Sequence, residues 1–356
     1  MALPYLADPR VLFDPEPGSV YLDAATYGLP PRPTVEALQR ALSRWQAGSA
    51  DFVPEWDDIA EECRALFAEL IGGTPEETAL IPTVSAGIAL VAASLPPRTE
   101  VVIADDEFTS VLLPFLAAAE SRGAKVRRVG FTDLAEAIRP GTGIVAVSYV
   151  RSQDGGVADL ASIIAAAQRV GAQVLVDATH AVPMMPVQQH IAGIDYLVAH
   201  GYKHMLCPRG VGFMHVRRDR IAGIAPYFAN WRSAHRPYGG DLTLPDTAER
   251  FDLSLAWHSW VGALPSMRLL VEWMLDGAYD QPMRQARNLA ELLGYPATGS
   301  SIISVPVSDA DAVARALAES GIRCAARAGK VRLSTHVWNT DDDIVRAAEV
   351  VGRYLA

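Results

Sequence analysis

The chain has 356 residues, half of them apolar, enough to bury a sizeable core as two domains or as one large α/β domain with an appendage. A formal net charge of −10 argues against broad contact with nucleic acid, no nucleic acid or membrane surface being an expected partner, and points to a small molecule, leaving room for a local basic pocket that takes a small anion. The three cysteines, Cys63, Cys207 and Cys324, are widely spaced without a CxxC pair, which gives neither a disulfide framework nor a zinc site and fits a reducing compartment.

The N-terminal MALPYLADPRVLFDPEPGS has no basic segment followed by an apolar one, and no apolar run reaches the ~18 residues of a membrane span, so a cytoplasmic location is expected. PTVEALQRALSRWQ and EWDDIAEECRALFAELIGG carry apolar residues at helical spacing, the second ending at a glycine pair. ETALIPTVSAGIALVAASL reads as a strand, a turn of small residues and a helix. A regular beat follows: VVIAD, KVRRVG, GIVAVSYV, AQVLVDA and YLVAHG are buried strands, with helices such as SVLLPFLAAAESRG and DLASIIAAAQRVG between them. Continuous apolar strands alternating with helices predict a mostly parallel central sheet covered by helices, whose site lies at the C-terminal ends of the strands.

Past RGVGFMHVRRD the rhythm changes. Residues 226–262 are rich in aromatics, Pro and Gly, and YFANWRSAHRPYGGD reads as a long irregular loop. A helix, WHSWVGALPSMRLLVEWML, comes next, and from about Asn288 the chain alternates SIISVPV, DADAVARALAESG, KVRLSTHVW and DDDIVRAAEVVGRYL. The expected division is a large domain over 15–262 and a smaller α/β domain built from 1–14 and 263–356.

Only three of the 31 Lys and Arg residues are lysines, and one of them, Lys203, follows the strand YLVAHG. Lysine alone of the two readily loses its proton when desolvated and condenses with a carbonyl. Two other strand ends carry polar groups: TVSAG opens a helix whose free N–H groups and Ser85 hydroxyl could hold a phosphate, and VLVDATHAV ends a buried strand at Asp177 with His180 close behind. Each has a plain alternative: Ser85 as a helix cap, Asp177 as a cap or ion-pair partner, Lys203 as a surface charge. Together they match pyridoxal 5′-phosphate, which needs an amine for its aldehyde, a carboxylate for its ring nitrogen and a cradle for its phosphate.

At this point the sequence resembles the class V aminotransferases of fold type I, a family that includes cysteine desulfurases, kynureninases and isopenicillin N epimerases. The resemblance runs from YLDAATYGLPP through TVSAGI, DEFTS, VDATHAV and GYKHMLCPRGVGFMHV to VRLSTHVWNTDDDI. It implies that Lys203 forms the Schiff base and moves protons, that Asp177 pairs with the ring nitrogen, and that His180 contacts the ring or its hydroxyl. A capping or core role for His180 stands beside that reading. Phe108 falls where the family stacks an aromatic or His side chain; Val84 and Ser85 fall at the phosphate loop, with His200 and Tyr202 as further phosphate contacts. Ser152 matches a position near the ring hydroxyl, and Arg332 matches the arginine that binds the substrate α-carboxylate, a task suited to a planar bidentate donor. His336 and Tyr27 are further substrate-side candidates. Ser254 is placed near the phosphate of a second subunit, since sites in this family are shared across a homodimer.

The stretch GIRCAARAGKVRLS departs from the desulfurases: it is short, and Cys324 lies beside the strand start where an apolar residue is usual. The expected activity is therefore that of an aminotransferase acting at Cα of an amino acid through an aldimine with the cofactor. A β-eliminating carbon–sulfur lyase, an amino-acid epimerase and a non-catalytic binding protein of the same fold are the alternatives. Trp231, Arg232, His235, Arg236 and Tyr238, together with Arg151 and Gln153, suggest either a substrate with a second anionic or planar portion or a solvated loop at a dimer contact.

Overall fold

The computed structural model describes residues 8–235 and 242–355. Its strands are β1 (Val20–Tyr21), β2 (Thr78–Ile81), β3 (Glu100–Ala104), β4 (Lys125–Val129), β5 (Thr142–Ser148), β6 (Gln173–Asp177), β7 (Tyr196–His200), β8 (Gly212–Val216), β9 (Ile302–Pro306), β10 (Ile322–Arg323), β11 (Ala325–Arg327) and β12 (Lys330–Ser334). Seven of them form one sheet in the order β2-β8-β7-β6-β5-β3-β4. The pairs from β4 across to β7 are parallel, and β8 runs antiparallel to both its neighbours. Strand order reverses between β3 and β5, which opens a crevice outside their C-terminal ends.

Alternation along each strand divides the core. Val102 and Ala104 of β3 join one buried cluster, while Val101 and Ile103 join the cluster on the opposite face. Both faces are covered, which is why the strands read as unbroken apolar runs. The glycine pair after the helix Ile59–Ile71 stops it as expected: Gly72 takes a left-handed conformation at φ 71°, and the Gly73 amide donates back to the Ala68 carbonyl at 2.9 Å.

A second core gathers Val20 and Leu22 with residues between Ala286 and Val351. It lies around the antiparallel sheet β11-β12-β9 and the helices Asp280–Leu292, Ala310–Glu319 and Asp341–Gly352. The parallel β1–β10 pair ties the N-terminal segment to it. The helix Trp257–Leu275 crosses the boundary expected at 262/263, and its Trp260, Leu264, Met267, Leu270 and Trp273 all pack in the first core. No helix among the described residues is long and apolar enough to cross a membrane. Arg236 and Tyr238 of the aromatic loop lie outside the described residues.

Candidate active site

Lys203 lies three residues beyond the end of β7 and is buried. The segment YLDAATYG crosses over it: the Gly28 amide donates to the Tyr202 carbonyl at 3.0 Å, and a Cβ on Gly28 would lie 2.2 Å from the Lys203 carbonyl oxygen. Only glycine fits there. The Nζ of Lys203 is 3.0 Å from Nε2 of His180 and 5.5 Å from the centre of the Phe108 ring. Burial lowers the lysine pKa to about 8, against the opposing pull of the Asp177 carboxylate. The neutral, nucleophilic amine is therefore far more populated near neutrality than for an ordinary lysine, about a tenth of the population one unit below that pKa.

Asp177 ends β6 and is buried, and its Oδ1 accepts from the Thr179 amide at 2.9 Å. No hydrogen bond among the described residues engages its Oδ2. Burial raises its pKa, so the site favours a positively charged partner for this carboxylate. Thr179 also accepts from the His200 amide at 3.1 Å through Oγ1, which locks the ends of β6 and β7 together. His180 is buried with Nδ1 unpartnered, and desolvation holds it well below the usual histidine range. Its neutral Nε2 can accept a proton of the lysine amine.

Across the cavity, Phe108 is positioned by a buried carboxylate. Glu107 accepts from the Phe108 amide at 2.7 Å and from the Ser148 amide and hydroxyl at 2.8 and 2.5 Å, joining the ends of β3 and β5. At the other end, Thr83 caps the helix Val84–Ser94, accepting from the Ala86 amide at 3.3 Å and lying 3.1 Å from the Ser85 hydroxyl. That leaves free N–H groups and the positive end of the helix facing the cavity. His200 lies beside them, its pKa lowered to about 4 by burial, so it carries no charge there at neutral pH. The fixed cation at this end is Arg209, whose guanidinium lies 5.2 Å over the Tyr202 ring.

These groups enclose a cavity of about 200 Å³ lined by Val84, Ser85, Phe108, Ser152, Asp177, His180, His200, Tyr202, Lys203 and Arg209, among others. Arg332 of β12 is buried behind Ser152, one of the lining residues. One guanidinium nitrogen donates to the Ser152 carbonyl at 2.6 Å and lies 3.3 Å from its hydroxyl, and the other donates to Thr26 Oγ1 at 2.8 Å, 3.7 Å from Asp23. Its Nε is buried and unpartnered, a donor still open to an anion.

A desolvated amine, a buried carboxylate and a cationic helix terminus, all facing one cavity, are the donor set that pyridoxal phosphate requires. The model for "Aminotransferase class-V" matches residues 20–346. This chain belongs to the class V aminotransferase family. The residues of its cavity fit pyridoxal 5′-phosphate, the cofactor of that family. The chain is 31% identical over 228 residues to a probable cysteine desulfurase of Aeropyrum pernix, covering 59% of this chain and 55% of that protein. It is 26% identical to the uncharacterized aminotransferase YcbU of Bacillus subtilis, covering 89% of this chain and 90% of the relative. Among solved structures, a C-DES mutant with glycine covalently linked to its PLP cofactor shares the fold with a TM-score of 0.88 at 20% identity, over 97% of this chain and 99% of that one.

Other residues named from the class V pattern lie apart from the lysine cavity. His336 is fully buried: its Nε2 donates to the His204 carbonyl at 3.0 Å, its Nδ1 accepts from the Val337 amide at 2.9 Å, and its ring stacks on Trp338 at 4.3 Å. Tyr27 is exposed and lines an adjoining groove that shares Tyr202 and Arg209 with the cavity. Ser254 accepts from Trp231 Nε1 at 2.7 Å. Arg232 is held by Asp57 and Glu61, and the His235 amide donates to the Thr243 carbonyl at 3.0 Å. Arg151 is paired with Asp106 at 2.8 Å and with Asp154, and Gln153 donates to Asp106 at 2.7 Å. Cys324 lies against the second core, its thiol pushed up to about 12 by burial.

Sequence reasoning missed Thr26, Glu107, Thr179 and Arg209. Glu107 and Thr179 lie inside DEFTS and VDATHAV, next to residues that were named. Arg209 follows in the same GYKHMLCPRG run as Lys203, and a second cation there was the available signal for an anion end.

Proposed function

We propose that the protein is an aminotransferase acting at Cα of an amino acid. The observation that carries the reading is a single amine–imidazole pair in the cavity. Lys203 and His180 form a pair 3.0 Å apart, whereas the aromatic ring facing the amine belongs to Phe108, which brings no proton donor. Inversion at Cα needs a donor on each face of the substrate; moving a proton between two atoms on one face needs a single base. Cys324, with a depressed thiolate fraction and no place in the cavity, gives no support to persulfide formation.

Pyridoxal phosphate, when bound, supplies an electrophilic carbon and an electron-withdrawing ring. Arg332 orients the substrate by its α-carboxylate through a planar two-point contact, with Ser152 and Thr26 fixing the guanidinium. Asp177 would hold a proton on the ring nitrogen, and Phe108 lines the wall of the cavity that would receive the ring. Lys203, as the neutral amine aimed by His180, would be the base that moves the Cα proton. In the same proposal the enzyme works as a homodimer in which Ser254 of one copy approaches the phosphate in the other; its position outside the lysine cavity of its own chain supports that reading.

The test incubates the holoenzyme with a panel of amino acids and no keto-acid acceptor. Stoichiometric conversion of the cofactor to pyridoxamine phosphate, with one keto acid released per site, is the expected result. Catalytic release of pyruvate with a thiol would make the protein a lyase, and deuterium entering Cα from solvent with inversion would make it an epimerase.

A further inference from the structure

Arg327 lies beside the site and makes no salt bridge among the described residues, the Asp23 carboxylate feeling its charge without pairing with it. It ends β11, and the two-residue turn after it, Ala328 at φ 48° and Gly329 at φ 74°, is the tight kind that pins a hairpin. Among the described residues its guanidinium donates only to the neighbouring Ala326 carbonyl, at 3.1 Å. Across the turn its register partner is Lys330, so two like charges face each other, an arrangement that costs stability until an anion joins them.

Two other arginines are spent, whereas Arg209 at the helix-terminus end of the Lys203 cavity makes no ion pair among the described residues. Arg151 is paired with Asp106 and Asp154, and Arg232 with Asp57 and Glu61. Asp106 is further engaged by Gln153, which leaves Arg327 without a partner there.

Arg327 and Ala328 line a second cavity, of about 280 Å³, with Asp106, Arg151, Ser152 and Gln153. It meets the Lys203 cavity at Phe108 and Ser152, residues common to both walls, and Ser152 is also the residue that Arg332 grips. The positive charge of Arg327 reaches across this junction, since it opposes protonation of both Lys203 and Arg332. A substrate anchored on Arg332 by its α-carboxylate and extending past Ser152 therefore meets a second guanidinium.

We propose that the enzyme selects amino acids whose side chain ends in an anionic group, and that Arg327 is the specificity residue that recognises it. The inference rests on the aminotransferase reading for the word substrate, and on the two arginines alone for the anion preference.

The experiment separates the two. Binding of succinate and glutarate to the pyridoxal-phosphate holoenzyme is measured by calorimetry against butyrate and valerate, which have the same lengths and one carboxylate fewer. None of the four has an amine, so binding does not depend on turnover. Dicarboxylates should bind about fivefold more tightly or better, the scale of one partly solvated ion pair. In Arg327→Gln that ratio should fall to near one. Equal binding of the two series to the wild type, or an unchanged ratio in Arg327→Gln, overturns the proposal. A dicarboxylate preference in a protein that converts no amino acid would sink transamination and leave the anion site standing.

Discussion

The Nε2 of His180 and the Nζ of Lys203 lie 3.0 Å apart in a buried cavity, on elements that follow two adjacent parallel strands. The imidazole is neutral because desolvation and the nearby lysine charge both oppose its protonation. It therefore acts as an acceptor that aims the amine. His180→Ala should still capture pyridoxal phosphate but slow the single-turnover proton step by about 10²-fold. Stopped-flow absorbance with a reactive amino acid checks this, and His180→Gln, which keeps an acceptor, should recover part of the rate. Equal rates in all three proteins would remove His180 from the chemistry.

The lysine itself sets a pH dependence. Its pKa is lowered from 10.5 to about 8, so the nucleophilic fraction rises with pH through 8 and levels off above it. The rate at which apoprotein captures the cofactor should follow that curve, falling about tenfold per unit well below pH 8. The stability sign is consistent: a depressed lysine pKa penalises the fold below 8, and the penalty is relieved as pH rises from 8 towards 10.5. A capture rate that keeps climbing to pH 10.5 would mean an exposed, ordinary lysine.

Gly28 has no room for a side chain, because its Cβ would meet the Lys203 carbonyl oxygen at 2.2 Å. Gly28→Ala should cost about 1–3 kcal/mol in denaturant unfolding of the apoprotein. It should also impair cofactor capture, since the strain falls on the lysine backbone. A variant as stable and as reactive as the wild type would show that the crossing segment yields easily.

Away from the site, Arg64 and Asp252 form a buried pair with nitrogen–oxygen distances of 2.6 and 3.1 Å, and Asp252 also accepts from the Leu80 amide at 2.8 Å. This pair clamps edge strand β2, and with it the turn that leads to Thr83 and Ser85. Asp252→Ala leaves a buried guanidinium short of its partner and should lose roughly 3–5 kcal/mol of stability. Urea unfolding with and without the substitution measures it.

Cys324→Ser should leave turnover within about twofold, because the half-buried thiol is held protonated and lines neither the Lys203 cavity nor the one beside Arg327. Loss of activity in that variant would revive persulfide chemistry.

Much of the fold was legible because apolar strands end abruptly in polar residues. AQVLVDA and YLVAHG announced both their burial and the strand ends that present Asp177 and Lys203. What stayed hidden depends on contacts between distant segments. GVGFMHV forms β8, the antiparallel strand between β2 and β7, and its pattern alone gave no direction. Nothing local to Gly28 shows that it touches Lys203, and nothing local to Arg151 or Arg232 shows that carboxylates neutralise them while Arg327 makes no salt bridge among the described residues. His336 lies in the same VRLSTHVW run as Arg332, yet its ring turns inward to His204 and Trp338. Charge and residue type were visible; which charges cancel was a property of the folded chain.

The most direct test of the account reconstitutes the protein with pyridoxal phosphate, reduces it with borohydride and maps the label by peptide mass. A visible absorption band that reduction abolishes, with the pyridoxyl mass confined to the peptide carrying Lys203 and absent from Lys203→Ala, is the predicted result. No band, or a label on Lys125 or Lys330 in place of Lys203, would contradict it.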